Sequence, residues 1–149
     1  MPPSAIVKGP ARKVLFGGRA CERFLVENVS YATYESLLRD FREHGPRMTY
    51  DQGRLEFMMP LHPHESYGHL LGRLIEMFAF EMNIPLHGGR STTLKRELAQ
   101  RGLEPDESYW IQNEPRMRGK KDLDLETDPP PDLAVEIDIT SSSLPRMSI

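Results

Sequence analysis

Acidic side chains recur near the end of this chain at positions where they could bind a metal ion. Residues 132–139 read Asp-Leu-Ala-Val-Glu-Ile-Asp-Ile, and this alternation of polar and aliphatic types predicts a β-strand. Because side chains alternate between the two faces of a strand, Asp132, Glu136 and Asp138 would fall on one face. Three carboxylates on one face repel one another, and a divalent cation would relieve that repulsion.

A second acid-bearing segment lies earlier in the chain. Asp106 follows Pro105 near the start of a strand-like run from Glu104 to Gln112. Acids from two neighbouring strands that meet at one point form a site of oxygen ligands, which suits Mg²⁺ or Mn²⁺. The sequence therefore predicts a metal site where Asp106 meets the acids of the later strand.

Other elements would have to position these acids. Hydrophobic spacing predicts a long helix from Pro63 to Met82. Its apolar face would contain Tyr67, Leu70, Leu71, Leu74, Ile75 and Phe78. A β-hairpin is predicted at residues 47–58 around a bulged loop, and a short helix ending near Phe41 would have Ser30 as its N-cap. This order of elements predicts an α/β fold with a central mixed β-sheet flanked by helices.

Composition sets wide limits on function. The 149 residues are enough for one domain, and we expect a loosely ordered arm at residues 1–20 followed by a single domain at 21–149. The formal net charge of −3 gives no overall basic field for binding nucleic acid. Cys21 is the only cysteine, and the N-terminus lacks the apolar core of a signal peptide. Both features predict a cytoplasmic protein.

Four short segments stand out in order along the chain. They are Tyr50–Pro60, His64–Glu65, Glu104–Asp106 and Pro131–Asp138. Together they resemble the Uma-type family of putative restriction endonucleases, which is assigned to the PD-(D/E)XK nuclease superfamily. The resemblance covers the chain from about Met48 onward. It implies a restriction-endonuclease-like core, preceded here by an N-terminal helix and a β-hairpin.

The resemblance also implies a site and an activity. By position, Asp106 matches the acid of the family's Pro-Asp motif, and Glu136 matches the acid of its (D/E)XK strand. These acids, with Glu65 as a third ligand, would hold Mg²⁺ or Mn²⁺, which polarises the scissile phosphate and helps to generate hydroxide. The implied protein is a metal-dependent DNA endonuclease with DNA as its partner. It would have no membrane contact, and a homodimer is one possible assembly.

Two departures from the family pattern bear on activity. The lysine of the (D/E)XK motif would fall at position 138, where this chain has Asp138. We group Asp138 with Asp106 and Glu136 as the catalytic acids. A carboxylate cannot supply the positive charge that neutralises a phosphate. The chain also stops at Ile149, where the resemblance implies a further helix and strand. We therefore expect a C-terminally truncated domain with weak or no activity.

Basic residues between the two acid-bearing strands are candidates for contact with the DNA backbone. They are Arg116, Arg118, Lys120 and Lys121. Such a cluster is also typical of an ordinary solvated loop. A protein that keeps the fold but only binds DNA or a partner stays open as an alternative, as does a folded fragment with a structural role. Zinc is disfavoured because His64 and His69 are five residues apart and no second ligand motif follows.

Overall fold

The computed structural model describes residues 12–16, 19–41, 45–59 and 62–138. Predictions about residues 1–11 and 139–149 lie outside the described residues. Within the described ranges, the strands are β1 (Arg12–Phe16), β2 (Arg19–Val26), β3 (Arg47–Asp51), β4 (Arg54–Met58), β5 (His87–Gly88), β6 (Leu94–Arg96), β7 (Arg101–Leu103), β8 (Glu107–Trp110) and β9 (Leu133–Val135). The helices are α1 (Tyr31–Asp40), α2 (His62–Glu81) and α3 (Glu114–Met117).

The strands form two sheets. A six-stranded sheet has the order β1-β2-β4-β3-β7-β6, and a three-stranded sheet has the order β5-β8-β9. The predicted α/β class, with a central sheet and flanking helices, is confirmed. Every pairing among the described strands is antiparallel, where the sequence analysis expected a mixed sheet. Short connections join β1 to β2, β3 to β4 and β6 to β7, and such connections produce antiparallel pairs.

The first two strands lie within and just after the stretch that was expected to be a loose arm. They pair from Arg12 opposite Arg23 to Phe16 opposite Arg19, and β2 then runs beside β4. The structure therefore has strand residues at 12–16 and from 19 onward. A domain boundary near residue 20 stays a prediction.

The predicted hairpin is formed by β3 and β4. Asp51 pairs with Arg54, so the loop contains two residues, Gln52 and Gly53. Both have positive φ, 46° and 96°, as a type I′ turn requires. The connection is thus a tight two-residue turn rather than the expected bulged loop. It leaves Arg47 at the opposite end of β3, facing the second sheet.

Helix α1 closes a core over this hairpin. Ser30 is its N-cap as predicted, since the Ser30 hydroxyl accepts the N–H of Thr33 at 3.1 Å. Beneath the helix, the rings of Tyr34 and Tyr50 stack with centroids 5.0 Å apart, and Tyr31 meets both edge-on at 5.6 Å. Burial raises the pKa of Tyr34 far above its ordinary value. Gly102 in β7 lies against the Tyr34 ring, where an added Cβ would overlap the phenol.

Helix α2 forms where it was predicted but packs through a different face. The residues that it buries are mostly small: His64, Gly68, Gly72 and Ala79. The predicted apolar face is exposed instead, with Tyr67, Leu70, Leu74 and Phe78 each more than half accessible to solvent. Within the described residues, no helix combines the length and hydropathy that a membrane crossing requires.

Close approach explains why α2 uses its small residues. A Cβ on Gly72 would lie 2.9 Å from Glu107 Oε1 and 3.0 Å from the Tyr109 hydroxyl, both on β8. A larger residue would therefore displace the Glu107 and Tyr109 side chains or push the helix away from the second sheet. The prediction of the buried face was wrong because hydropathy gives weight to large side chains, whereas this contact requires small ones.

The two acid-bearing strands are shorter than predicted. The strand expected at 104–112 is β8, Glu107–Trp110, and the strand expected at 132–140 is β9, Leu133–Val135. Asp132, Glu136 and Asp138 therefore flank β9 rather than lining one of its faces. Residues 139 and 140 lie outside the described residues.

The polar connection between β8 and β9 packs against the second sheet. Trp110, Leu94, Met117 and Leu125 form a buried cluster there. The Trp110 indole N–H donates to the Pro129 carbonyl at 2.8 Å. The connection is therefore anchored at several points along its length.

Removing the hydroxyl groups of Tyr34 and Tyr50, one at a time, should have different effects on stability. The Tyr50 hydroxyl donates to the Val29 carbonyl at 3.0 Å, whereas the buried Tyr34 hydroxyl has no partner among the described residues. Tyr50→Phe should lower the free energy of unfolding by about 1 kcal/mol. Tyr34→Phe should leave it unchanged or raise it, because an unsatisfied polar group leaves the core. Urea denaturation measures both changes, and equal losses would contradict the assignment.

Candidate functional site

The pairing of β8 with β9 brings two of the predicted site positions together. Glu107 pairs with Val135, and the Asp106 N–H donates to the Val135 carbonyl at 3.0 Å. The pairing ends there, and Asp106 and Glu136 are the residues that come directly before Glu107 and directly after Val135. The two acids therefore come from neighbouring segments of one sheet edge.

The Asp106 carboxylate is the most buried of the predicted acids, with 2% of its side chain exposed. One oxygen, Oδ2, accepts the Ile137 N–H at 2.6 Å. The other, Oδ1, accepts from the Arg47 guanidinium and lies 3.3 Å from His64 Nδ1. Asp106 thus joins the start of β3, the start of α2 and the segment that follows β9.

Arg47 connects Asp106 to a second predicted acid. Its Nη2 donates to Glu65 Oε1 at 2.8 Å, while its Nη1 donates to Asp106. The Arg47 side chain is 15% exposed and Glu65 is 54% exposed. Two carboxylates therefore converge on one cationic group. Sequence reasoning missed Arg47 because it belongs to none of the acid-bearing segments and lies 59 residues from Asp106.

The chemistry of these donors fits a hard divalent cation. Asp106 and Glu65 offer carboxylate oxygens to the position that the Arg47 guanidinium occupies, and Mg²⁺ and Mn²⁺ prefer such oxygens. Glu136 is half-buried directly after β9, and Asp138 is exposed two residues later. In this arrangement, no three histidine, cysteine or acidic side chains of the described residues are grouped closely enough to hold a metal ion.

A small cavity opens beside the Asp106 carboxylate. Its volume is about 190 Å³. Its lining combines both signs of charge: Arg47, Glu65, Gly68, His69, Arg90, Ser91, Asp106 and Glu107. A second cavity of about 430 Å³ shares Arg47 and Ser91 with the first. Arg47 therefore lies at the boundary between the smaller cavity and a larger neighbouring one.

Two other acids of these segments have structural partners. Glu104 accepts the Met48 N–H at 3.0 Å and the Thr93 hydroxyl at 2.8 Å. Asp132 accepts the N–H groups of Ile111 and Gln112 at 2.6 and 2.9 Å. The hydrogen bond from Ile111 lowers the pKa of Asp132. These contacts give Asp132 a role in fastening β9 to the segment after β8.

The predicted basic cluster is partly neutralised within its own loop. Arg118 pairs with Glu114 at 2.7 Å, and Lys120 pairs with Asp128. The hydrogen bond from Lys120 lowers the pKa of Asp128. Arg116 and Lys121 are exposed. The cluster therefore lies on an ordered surface, but it contributes less positive charge than its sequence indicates.

Comparison with known proteins identifies a family. Residues 31–148 match the family model Uma2, described as a putative restriction endonuclease. No curated protein and no solved structure matches the chain.

The contacts of Asp132 should make stability depend on pH. Its folded-state pKa is below the ordinary value of about 3.9, so its stabilising effect is present above that pH and is lost as the pH falls through the folded-state pKa. Asp132→Asn should therefore lower the melting temperature at pH 7, and the difference from the parent chain should shrink below about pH 4. Thermal unfolding followed by circular dichroism measures this. The exposed loop acid Asp122 gives the control Asp122→Asn, and a pH-independent difference for Asp132→Asn would contradict the assignment.

Proposed function

This chain belongs to the Uma2 family, and from that membership we propose that it is a metal-dependent DNA endonuclease that hydrolyses phosphodiester bonds. The observation that carries the proposal is the pairing of β8 with β9, whose last pair, Glu107 with Val135, adjoins Asp106 on one strand and Glu136 on the other. These are the acids that the family resemblance assigns to metal binding. The family match supplies the class of protein, and the geometry supplies the reason to assign the chemistry to this sheet edge.

In this proposal, Asp106, Glu136 and Glu65 hold Mg²⁺ or Mn²⁺. When bound, the metal would polarise the scissile phosphate and lower the pKa of an attacking water. Ile137 fixes the orientation of Asp106 through its backbone N–H, so the Asp106 carboxylate is held in one direction before substrate arrives. Such fixed orientation is what a catalytic site requires of its ligands.

The remaining predicted residues have supporting roles in the proposal. Asp138, exposed after Glu136, is the third catalytic acid and lies within reach of solvent water. The exposed Arg116 and Lys121 contact the DNA backbone, and Arg118 and Lys120 join them when their loop carboxylates are screened. Cys21 as the only cysteine supports a reducing, cytoplasmic location.

A non-catalytic DNA- or protein-binding role is the second candidate. It is favoured by the ion pairs of Arg47, whose guanidinium already holds Asp106 and Glu65. It is also favoured by Asp138, which places negative charge where the family motif has a lysine. Both functions use the same fold, so only a measurement of cleavage separates them.

If the protein forms a homodimer, the exposed side of α2 is the surface through which two copies would pack. Tyr67, Leu70, Leu74 and Met77 are exposed and follow the alternating three- and four-residue spacing of a helix–helix seam. A second copy offers an identical helix of 20 residues. Sedimentation velocity should show a dimer that Leu74→Glu dissociates. The control is Leu98→Glu, because Leu98 is exposed elsewhere. A parent chain that stays monomeric at high concentration would contradict this assembly.

Metal binding and cleavage should depend on Asp106 and Glu136. Mn²⁺ should raise the melting temperature of the parent chain, because it binds the folded state. Glu136→Gln and Asp106→Ala should each remove most of that rise. With Mg²⁺ or Mn²⁺, we expect slow nicking of supercoiled plasmid DNA, and either substitution should lower the rate at least about 100-fold. Slow nicking is expected because Asp138 adds negative charge near the phosphate.

Asp122→Asn is the matched control for both readouts, since it removes one exposed carboxylate from the loop. It should leave the Mn²⁺ response and the nicking rate unchanged. A chain that binds DNA but cuts it with neither metal would favour the binding role. Nicking that survives Asp106→Ala would indicate a contaminating nuclease or a different site.

A further inference from the structure

Arg47 has contacts that neither the family resemblance nor the acid motifs account for. It begins β3 in the six-stranded sheet, yet its guanidinium donates to Asp106 beside the three-stranded sheet and to Glu65 on α2. The side chains of Arg47 and Asp106 are 15% and 2% exposed. A carboxylate as buried as that of Asp106 requires a positive partner or hydrogen-bond donors to stay charged.

The guanidinium occupies the position to which Asp106 and Glu65 direct their oxygens. A metal ion that takes Asp106 Oδ1 as a ligand would meet the Arg47 Nη1 group that already donates to that oxygen. Two cations cannot share that oxygen without strong repulsion. Arg47 and a divalent cation are therefore competitors for the same carboxylates.

The structure also offers a place for a displaced guanidinium. Arg47 lines the cavity of about 190 Å³ beside Asp106 and the adjoining cavity of about 430 Å³. The larger cavity has room for an arginine side chain to rotate away from Asp106. A planar guanidinium in that position would suit the oxygens of a phosphate, which it can bind through two parallel N–H groups.

We propose that Arg47 is the built-in counter-ion of the acidic site, that a divalent cation displaces it from Asp106 and Glu65, and that the displaced guanidinium then binds a phosphate of the DNA substrate. This inference rests on the proposed metal-dependent function and adds a residue to it. Arg47 would supply the positive charge that position 138 lacks. The site would thus change from an internal ion pair to a phosphate-binding state when metal arrives.

Isothermal titration with Mn²⁺ alone tests the competition. Arg47→Gln removes the guanidinium and should bind Mn²⁺ about tenfold more tightly than the parent chain, within the usual range of couplings between two sites. Arg47→Lys keeps one charge but cannot bridge two carboxylates as a guanidinium does, so its affinity should fall between the two. Without added metal, Arg47→Gln should melt at a lower temperature than the parent chain. Mn²⁺ should raise the melting temperature of Arg47→Gln by more than it raises that of the parent chain.

Binding of a short DNA duplex tests the second step. Fluorescence anisotropy, with intact duplex verified on a gel, should show that Mn²⁺ increases the affinity of the parent chain for DNA. In Arg47→Gln that increase should be smaller, and the salt dependence of binding should fall by about one phosphate contact.

Arg101→Gln is the matched control. Arg101 pairs with Asp51 at 3.1 Å in the same sheet but at the far end of β3, about 13 Å along the strand. It should change neither Mn²⁺ affinity nor the DNA response.

The outcomes separate this inference from the proposed function. Equal Mn²⁺ affinities for the parent chain, Arg47→Gln and Arg47→Lys would overturn the role of Arg47 and leave metal binding in place. No Mn²⁺ binding by any of the three would overturn both. Tighter Mn²⁺ binding by Arg47→Gln with an undiminished DNA response would overturn the phosphate-binding step.

Discussion

The buried carboxylate of Asp106 is the interaction on which the arrangement of this protein depends. It receives a backbone N–H from Ile137, faces His64 Nδ1 and accepts from Arg47, so it holds together the segment after β9, the start of α2 and the start of β3. These elements belong to two different sheets and a helix. A charge that is almost fully removed from water must be compensated, and the compensation fixes how the sheets and the helix meet. Stability and the candidate chemistry thus depend on the same few atoms.

Close packing of α2 also fixes how this helix meets the second sheet. Gly68 lies against Asp106 and Ile137, and Gly72 lies against Glu107 and Tyr109. Small residues let the helix approach β8, and that approach brings His64 and Glu65 to the site. The large apolar residues of α2 then remain on its outer side. The helix therefore has two faces that can pack. The face of small residues packs against the second sheet, and the face of large apolar residues is exposed.

Local signals in the sequence predicted much of the fold. The Ser30 cap, the β3–β4 hairpin and the extent of α2 each follow from neighbouring residues, and each is present. The face of α2 could not be predicted, because glycine carries no hydropathic signal although its lack of a side chain decides the contact. The choice of Asp106 and Glu136 as candidate acids was accessible from their motifs, and β8 and β9, which they adjoin, do pair. The contact of Arg47 with Asp106 was not accessible, because only the folded chain brings β3 to that carboxylate.

The packing of the connection after β8 gives the protein a local fluorescence probe. Trp110 is the only tryptophan of the chain, is 1% exposed, and lies in the cluster with Leu94, Met117 and Leu125. Indole emission therefore reports on the three-stranded sheet and its connection. The stacked rings of Tyr34 and Tyr50 lie in the other core and contribute to the near-ultraviolet dichroism of the protein. The two spectroscopic signals thus distinguish whether the sheets lose their packing together or one before the other.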